Sequence, residues 1–252
     1  MRELLDFGLV YRFEFSAVFT VLGYIVVVIA GYLLGSLSPG IIISRLIYKD
    51  DIRNHGSGGT GMTNMLRTYG KPAAAATFII DGAKAVIAVL IGIVFFGSTP
   101  QAAAVYAGAY VGGLAAVVGH AFPVYHKFKG GKSVAVTLFM VIVTTPVIAL
   151  MCFAVFALIV WGTKYLSVGS IMTVMMYPLI LNRLTGFGLH NVIAIFIMLI
   201  VVLLHRENIK RVWAGTENRF SLRSKKKAGG SVPQGAGDSS LQNKNEKENE
   251  GK

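Results

Sequence analysis

FSAVFTVLGYIVVVIAGYLLGSLSPGIIIS, residues 15–44, runs for thirty positions without an Asp, Glu, Lys or Arg. A helix in a soluble core needs only one apolar stripe. This stretch is apolar on every side and exceeds the roughly 20 residues that cross a bilayer core. The pattern recurs downstream: residues 85–126, 133–163, 165–182 and 184–205 also lack all four charged types. Charged residues make up 14% of the 252-residue chain against 54% hydrophobic ones, where soluble domains carry about 25% charged residues. In lipid every backbone polar group must be satisfied internally, which leaves helices or closed barrels. The runs are too long for barrel strands and lack period-two alternation. The expected fold is all-α and polytopic, with transmembrane helices.

Spans are expected at 15–34, at 72–96 with Asp81 and Lys84 inside, and at 102–119. Further on, Pro146 breaks an uncharged run that reads either as one kinked span or as two short helices, 134–143 and 147–161. Segments 168–181 and 191–204 follow, separated by a turn at 182–190 where Gly186 and Gly188 lie. Charge bias decides between the two counts. Residues 45–71 hold five Lys/Arg against two acidic residues, residues 127–132 three against none, and residues 206–227 eight against two. Basic connections stay in the cytoplasm. About seven helices, two of them short around Pro146, put all three connections there, with the amino terminus outside and the carboxyl terminus inside. Short helices of this kind sit beside cavities.

The net charge of +12 lies at the ends of apolar runs, so membrane orientation explains it without nucleic acid. Cys152 is the sole cysteine, which excludes an internal disulfide. No cleaved signal peptide is expected, because charged residues precede a first apolar run too long for one. Residues 1–220 read as the membrane domain. Residues 221–252 read as a basic juxtamembrane segment, Arg223 with Lys225 to Lys227, followed by a disordered tail. The basic cluster serves either to touch anionic lipid heads or as a topology signal.

Three polar connections carry the chemistry. The first, YKDDIRNHGSGGTGMTNMLRTYGK at 48–71, packs four glycines among Ser57, Thr60 and Thr63, with Arg53, His55, Asn64 and Arg67 beside them. Backbone amides, hydroxyls and guanidinium groups in such density make an anion cradle, although the Gly-Lys-Ser/Thr ending of a Walker loop is absent. The second, GHAFPVYHKFKGGKSV at 119–134, sets Lys127, Lys129 and Lys132 around Gly130 and Gly131. Those lysines read either as phosphate ligands or as markers of the cytoplasmic face, and His120 as either structural or catalytic. The third, HRENIKRVWAGTEN at 205–218, brings His205, Asn208 and Glu217 together. Glu217 is a charge partner or a binder of substrate hydroxyls. Chemistry for anions gathered around apolar helices suits a molecule with a phosphate head and a greasy tail. HExxH, GxSxG and an acidic metal cluster are absent, so neither a metal nor a cofactor is expected.

Together with GSLSPG at 35–40, these segments resemble the bacterial acyl-phosphate:glycerol-3-phosphate acyltransferase family over about residues 30–218. The resemblance implies seven spans and transfer of a fatty acyl group from acyl-phosphate to the 1-hydroxyl of glycerol 3-phosphate, giving 1-acylglycerol 3-phosphate and phosphate. It implies Ser36, Arg53, His205, Asn208 and Glu217 as catalytic. Ser57, Asn64, His120, Lys129, Gly130, Gly131, Lys132 and Ser167 are implied to bind substrate. Ser36 is expected to position substrate rather than to be acylated. Implied partners are acyl-phosphate, glycerol 3-phosphate, membrane lipids and an acyl-phosphate-forming enzyme as supplier, in a bacterial inner membrane. Two positions depart from the family's pattern: Gly59 stands where Asn is usual, and Ser133 where glycine is usual. A transporter of a phosphorylated solute is the alternative, and its mark would be alternating access.

Overall fold

The computed structural model of the chain describes residues 17–96 and 102–220. Among these residues it is all helical: α1 (Ala17–Ser36), α2 (Pro39–Ile47), α3 (Met62–Tyr69), α4 (Lys71–Phe96), α5 (Ala102–Ala121), α6 (Val134–Thr144), α7 (Pro146–Thr163), α8 (Leu166–Thr185), α9 (Leu189–Leu204) and α10 (Arg206–Trp213). The expected start of the first span at Phe15, the 97–101 turn and the 221–252 tail lie outside the described residues.

Among the described residues, the apolar helices α1 and α4 to α9 stand at the seven expected spans, with shifts of a few residues at their ends. By length and composition, four helices among the described residues are able to cross a membrane, at Val18–Ile47, Lys71–Phe96, Tyr106–His126 and Pro146–Thr163. The pair α9 and α10, bent by 54°, makes a fifth. α6 has 11 residues, about 16 Å at the helical rise. The chain does break at Thr145, and Pro146 opens α7.

Two expectations are corrected. α8 continues past Leu181 to Thr185, because the Thr185 hydroxyl donates to the Leu181 carbonyl (2.7 Å). Gly186 then stops the helix at φ 76°, its N–H donating to the Asn182 carbonyl (3.0 Å). The turn expected at 182–190 therefore shrinks to residues 186–188. In addition, α3 and α10 form within segments read as connections, and α2 forms between the first expected span and the first connection. α2 starts on a proline at its first turn, a favourable position.

α1 lies against α5 through small residues. A Cβ at Gly35 would meet the Ala116 backbone, so glycine sets how closely the two helices approach. The main core joins α4, α5, α6, α8 and α9 around Val89, Val117, Met140, Tyr177 and Ile197. A smaller cluster of Ile41, Ile43, Ile52, Met65, Ala73 and Ala74 packs α2 and α3 onto the first turns of α4.

A buried charge cluster holds the helix ends in place. Lys84 is 3% exposed, and its Nζ donates to the carbonyls of Gly35 (2.9 Å) and Leu37 (2.6 Å) at the C-terminal end of α1. It also lies 2.7 Å from Asp81 Oδ1 and 2.9 Å from His120 Nδ1, near the end of α5. A cation there answers both the orphan carbonyls and the negative end of the helix dipole. Lys84 stands thirteen residues into α4, about 20 Å along it. α1 and α5 therefore end well below the top of α4, and the polar connections fold into the space above them.

Replacing Lys84 with Met is expected to lower stability by about 3–5 kcal/mol, because it strands a buried carboxylate. In thermal unfolding in detergent, an Asp81→Asn/Lys84→Met double variant should lose clearly less than the sum of the singles. Additive losses would contradict this coupling.

Candidate functional site

The glycine-rich connection is organised by its own polar side chains. Asp51 accepts from the Arg53 backbone N–H (3.1 Å) to cap the short 3-10 turn Ile52–Asn54. The Arg53 guanidinium donates to both oxygens of Asp51, Nε at 2.9 Å and Nη2 at 2.7 Å, and Arg45 adds a contact at 2.8 Å. Arg53 thereby holds the Asp51 carboxyl well below the usual carboxylate range.

Asn64 is the hub of the loop. Its Nδ2 is placed to donate to the carbonyls of Gly59 (2.8 Å), His55 (2.9 Å) and Ile52 (3.3 Å), and its Oδ1 accepts from the Ser57 N–H (3.1 Å). Gly56, at φ 55°, lets the backbone turn against that amide. At Gly59 a Cβ would make only ordinary contact with Ser57 Oγ (3.5 Å), so the loop has room for the larger residue usual there.

The second connection closes under α5. The Gly131 N–H donates to the His120 carbonyl (3.0 Å), and a Cβ on Gly131 would meet the His120 ring. Ser133 follows at φ 60°, a left-handed conformation that glycine adopts freely. Its hydroxyl donates to the Val117 carbonyl (2.9 Å), and this bond accounts for a serine standing at that position.

Four chain segments meet at one carboxylate. Glu217 Oε1 accepts from Ser167 Oγ (2.9 Å) at the start of α8 and from Asn208 Nδ2 (2.8 Å) on α10. Glu217 Oε2 accepts from Arg211 Nε (2.7 Å). Asn208 Oδ1 in turn accepts from Lys132 Nζ (2.5 Å). Burial pushes the Lys132 ammonium down to about 8, with Arg211 repelling it and Glu217 opposing the shift. Arg67 on α3 is also lowered by burial and feels both Glu217 and Arg211. Three cations against one carboxylate leave two positive charges uncompensated, enough for a dianionic phosphate. His205, 3% exposed, donates from Nδ1 to the Val201 carbonyl (2.7 Å), which leaves Nε2 as the ring's acceptor.

Apart from Arg211, which backs Glu217 from outside the lining, these groups form the polar end of a cavity of about 390 Å³. Its other walls are mostly apolar, with Phe78 of α4, Leu138 and Val141 of α6, Ala149, Cys152, Phe153 and Phe156 of α7, and Val174 and Tyr177 of α8, interrupted by Thr137, Ser170 and Thr173. Of the residues expected at a site, Ser57, Asn64, His120, Gly131, Lys132, Ser167, His205, Asn208 and Glu217 line it. Ser36, Arg53, Lys129 and Gly130 are not in its lining. Ser36 is buried beneath the α5–α6 connection, where its Oγ accepts from the Val124 N–H (3.4 Å). Arg53 is engaged with Asp51. Lys129 is exposed, and Gly130 packs on the His120 carbonyl.

The structure adds Arg67 and Arg211 to the cluster. Each lies three residues after an asparagine of the site on a short helix, Asn64 or Asn208, and so shares its face. Among the described residues no group of three His, Cys, Asp or Glu side chains is placed to hold a metal ion.

A family model described as "Glycerol-3-phosphate acyltransferase" matches residues 25–215. The glycerol-3-phosphate acyltransferase of Syntrophotalea carbinolica is 40% identical over 198 residues, covering 78% of this chain and 97% of the relative. That of Clostridioides difficile is 39% identical over 201 residues, covering 79% and 97%. Among solved structures, PlsY, an integral membrane glycerol 3-phosphate acyltransferase, in its glycerol 3-phosphate form is similar at a TM-score of 0.71. It is 37% identical, with 79% of this chain and 96% of that one covered. The lysophosphatidic acid form of PlsY gives a TM-score of 0.68 at 35% identity, over 79% and 95%.

Replacing Asn64 with Asp keeps the acceptor for Ser57 and removes the donors to three carbonyls. A cost of roughly 1–3 kcal/mol is expected for each buried group left unpaired. Limited proteolysis should show faster cleavage at residues 55–59, and an unchanged rate would contradict the hub role.

Proposed function

The chain belongs to the glycerol-3-phosphate acyltransferase family, and on that premise we propose that it transfers a fatty acyl group from acyl-phosphate to the 1-hydroxyl of sn-glycerol 3-phosphate. The new bond joins that hydroxyl oxygen to the acyl carbon, and the bond between the acyl carbon and the phosphate oxygen breaks. The departing phosphate takes the hydroxyl proton, and 1-acyl-sn-glycerol 3-phosphate is formed.

The observation that carries this reading is a single cavity with two opposite characters. The cationic end around Lys132 and Arg67 suits the phosphate of glycerol 3-phosphate. Glu217 and Ser167 are within reach of the glycerol hydroxyls, and Asn208 ties Lys132 to Glu217. The glycine-rich loop contributes Ser57 and backbone groups for the phosphate of the donor, whose negative charge grows as it leaves. His205, its Nδ1 held by the Val201 carbonyl, lines the same cavity and can accept a hydrogen bond from a glycerol hydroxyl without taking its proton. Ser36, buried and outside the cavity lining, fits a positioning role. Binding both substrates against fixed groups converts a two-body encounter into a nearly unimolecular step. The polar groups lie at one end of the cavity, which fits transfer chemistry better than passage of a solute between two faces.

The site-bearing helix ends, at the C-termini of α1, α5 and α9 and the start of α8, share one end of the bundle. With the basic connections, this supports a cytoplasmic site in a bacterial plasma membrane and a cytoplasmic tail over residues 221–252. An acyl-phosphate-forming enzyme would supply the donor.

The purified protein given acyl-phosphate should release inorganic phosphate and form acylated glycerol phosphate in equal amounts, only when glycerol 3-phosphate is present. Acyl-CoA as the sole donor should give no product. Turnover with acyl-CoA alone would overturn the choice of donor.

The Lys132 ammonium is present below pH 8 and is lost as pH rises through about 8. kcat/KM for glycerol 3-phosphate should therefore fall above that pH. Lys132→Arg, which stays charged, should move the falling limb to higher pH. An unmoved limb would contradict Lys132 as the phosphate's cation.

A further inference from the structure

The apolar part of the cavity has a closed deep end, and its closure carries information about chain length. Along α8 the cavity is lined by Leu166, Ser167, Ser170, Thr173, Val174 and Tyr177, among which Ser167, Ser170, Val174 and Tyr177 form a stripe at helical spacing. The stripe begins at the Glu217 contact and runs away from it. Its next position, Leu181, is 0% exposed and belongs to the solid core. The lining on α6 likewise stops at Val141, and on α7 the deepest lining residue is Ala149. Tyr177, Val141, Ala149 and Cys152 are all under 8% exposed, whereas Phe153, on the flank, is 56% exposed. The chamber is thus tight at its far end and open on one side.

We propose that Tyr177, backed by Leu181, is the floor of an acyl chamber and sets which chain lengths the protein prefers. The inference rests on the acyl transfer argued above and adds a residue that selects among acyl groups.

Ten residues of α8 separate Ser167 from Tyr177, about 15 Å. A saturated chain with bonds near 1.5 Å advances about 1.25 Å per carbon, so about twelve carbons fit in extended form. Each further methylene must bend, or leave past Phe153. A methylene that finds apolar burial instead gains about fourfold in binding.

The test is a competition between dodecanoyl-phosphate and hexadecanoyl-phosphate on the purified full chain at saturating glycerol 3-phosphate, with the two products counted by mass spectrometry. Tyr177→Ala opens the floor and should raise the long-to-short product ratio at least fourfold. Ala149→Leu fills the deep end and should lower it. Should Tyr177→Ala fail to fold, Val141→Ala opens the same end by less and should raise the ratio. Unchanged ratios in folded, active variants would overturn the floor and mean that chains leave along Phe153. Absence of product from either chain in the wild-type protein would overturn the acyl-transfer reading and this proposal with it.

Discussion

One ammonium group anchors the functional end of this protein. Lys84 Nζ contacts α1 through two carbonyls and α5 through His120, and it stands on α4 beside its own counter-ion Asp81. A helix end buried against other helices has no water to satisfy its last carbonyls. A buried cation allows α1 and α5 to end against α4. Their early ends create the recess into which the polar connections fold, and His120 passes the constraint on to Gly131 and Lys132. The placement of Lys132 thus depends on an ion cluster buried in the bundle.

The recess gathers its charges around one ion pair, Arg211–Glu217, and the hydrogen bonds that branch from it. Glu217 draws Ser167, Asn208 and Arg211 to one point, and Asn208 relays that order to Lys132. Such a network holds cations close together without a ligand, while the excess positive charge still favours an anion. Arg53 is arranged differently, its guanidinium held in two bonds by Asp51 at the edge of the glycine-rich loop. Its structural work is to fix the turn that leads into that loop.

The apolar helices were legible because a charge-free run is a property of contiguous residues, and Pro146 marked the break between α6 and α7 in the same way. The site was legible differently. Lys132, Ser167, Asn208 and Glu217 come from separate segments, and no spacing within any one of them reveals that they touch. Resemblance to a family pointed to them, and the hydrogen bonds show how they join. Arg67 was read only as part of the glycine-rich cradle and Arg211 was missed, because their i,i+3 relation to Asn64 and Asn208 has meaning only once residues 62–69 and 206–213 are known to be helices. The extension of α8 past Leu181 turned on a side-chain bond from Thr185 that composition does not disclose. Ser133 shows the converse: a departure from the family's glycine is compensated by a hydroxyl bond across to α5.

The break between α6 and α7 bears on how the chain enters the bilayer during synthesis. At about 16 Å, α6 is too short to be released into lipid alone, since a hydrocarbon core is about 30 Å thick. The hydroxyls of Thr144 and Thr145 turn back onto the carbonyls of Met140 (3.0 Å) and Val141 (3.5 Å), so the hinge carries its polar groups already paired. α6 and α7 are therefore suited to partition as a pair, which delivers their share of the apolar cavity wall together. That wall is complete only once α7 has left the insertion machinery.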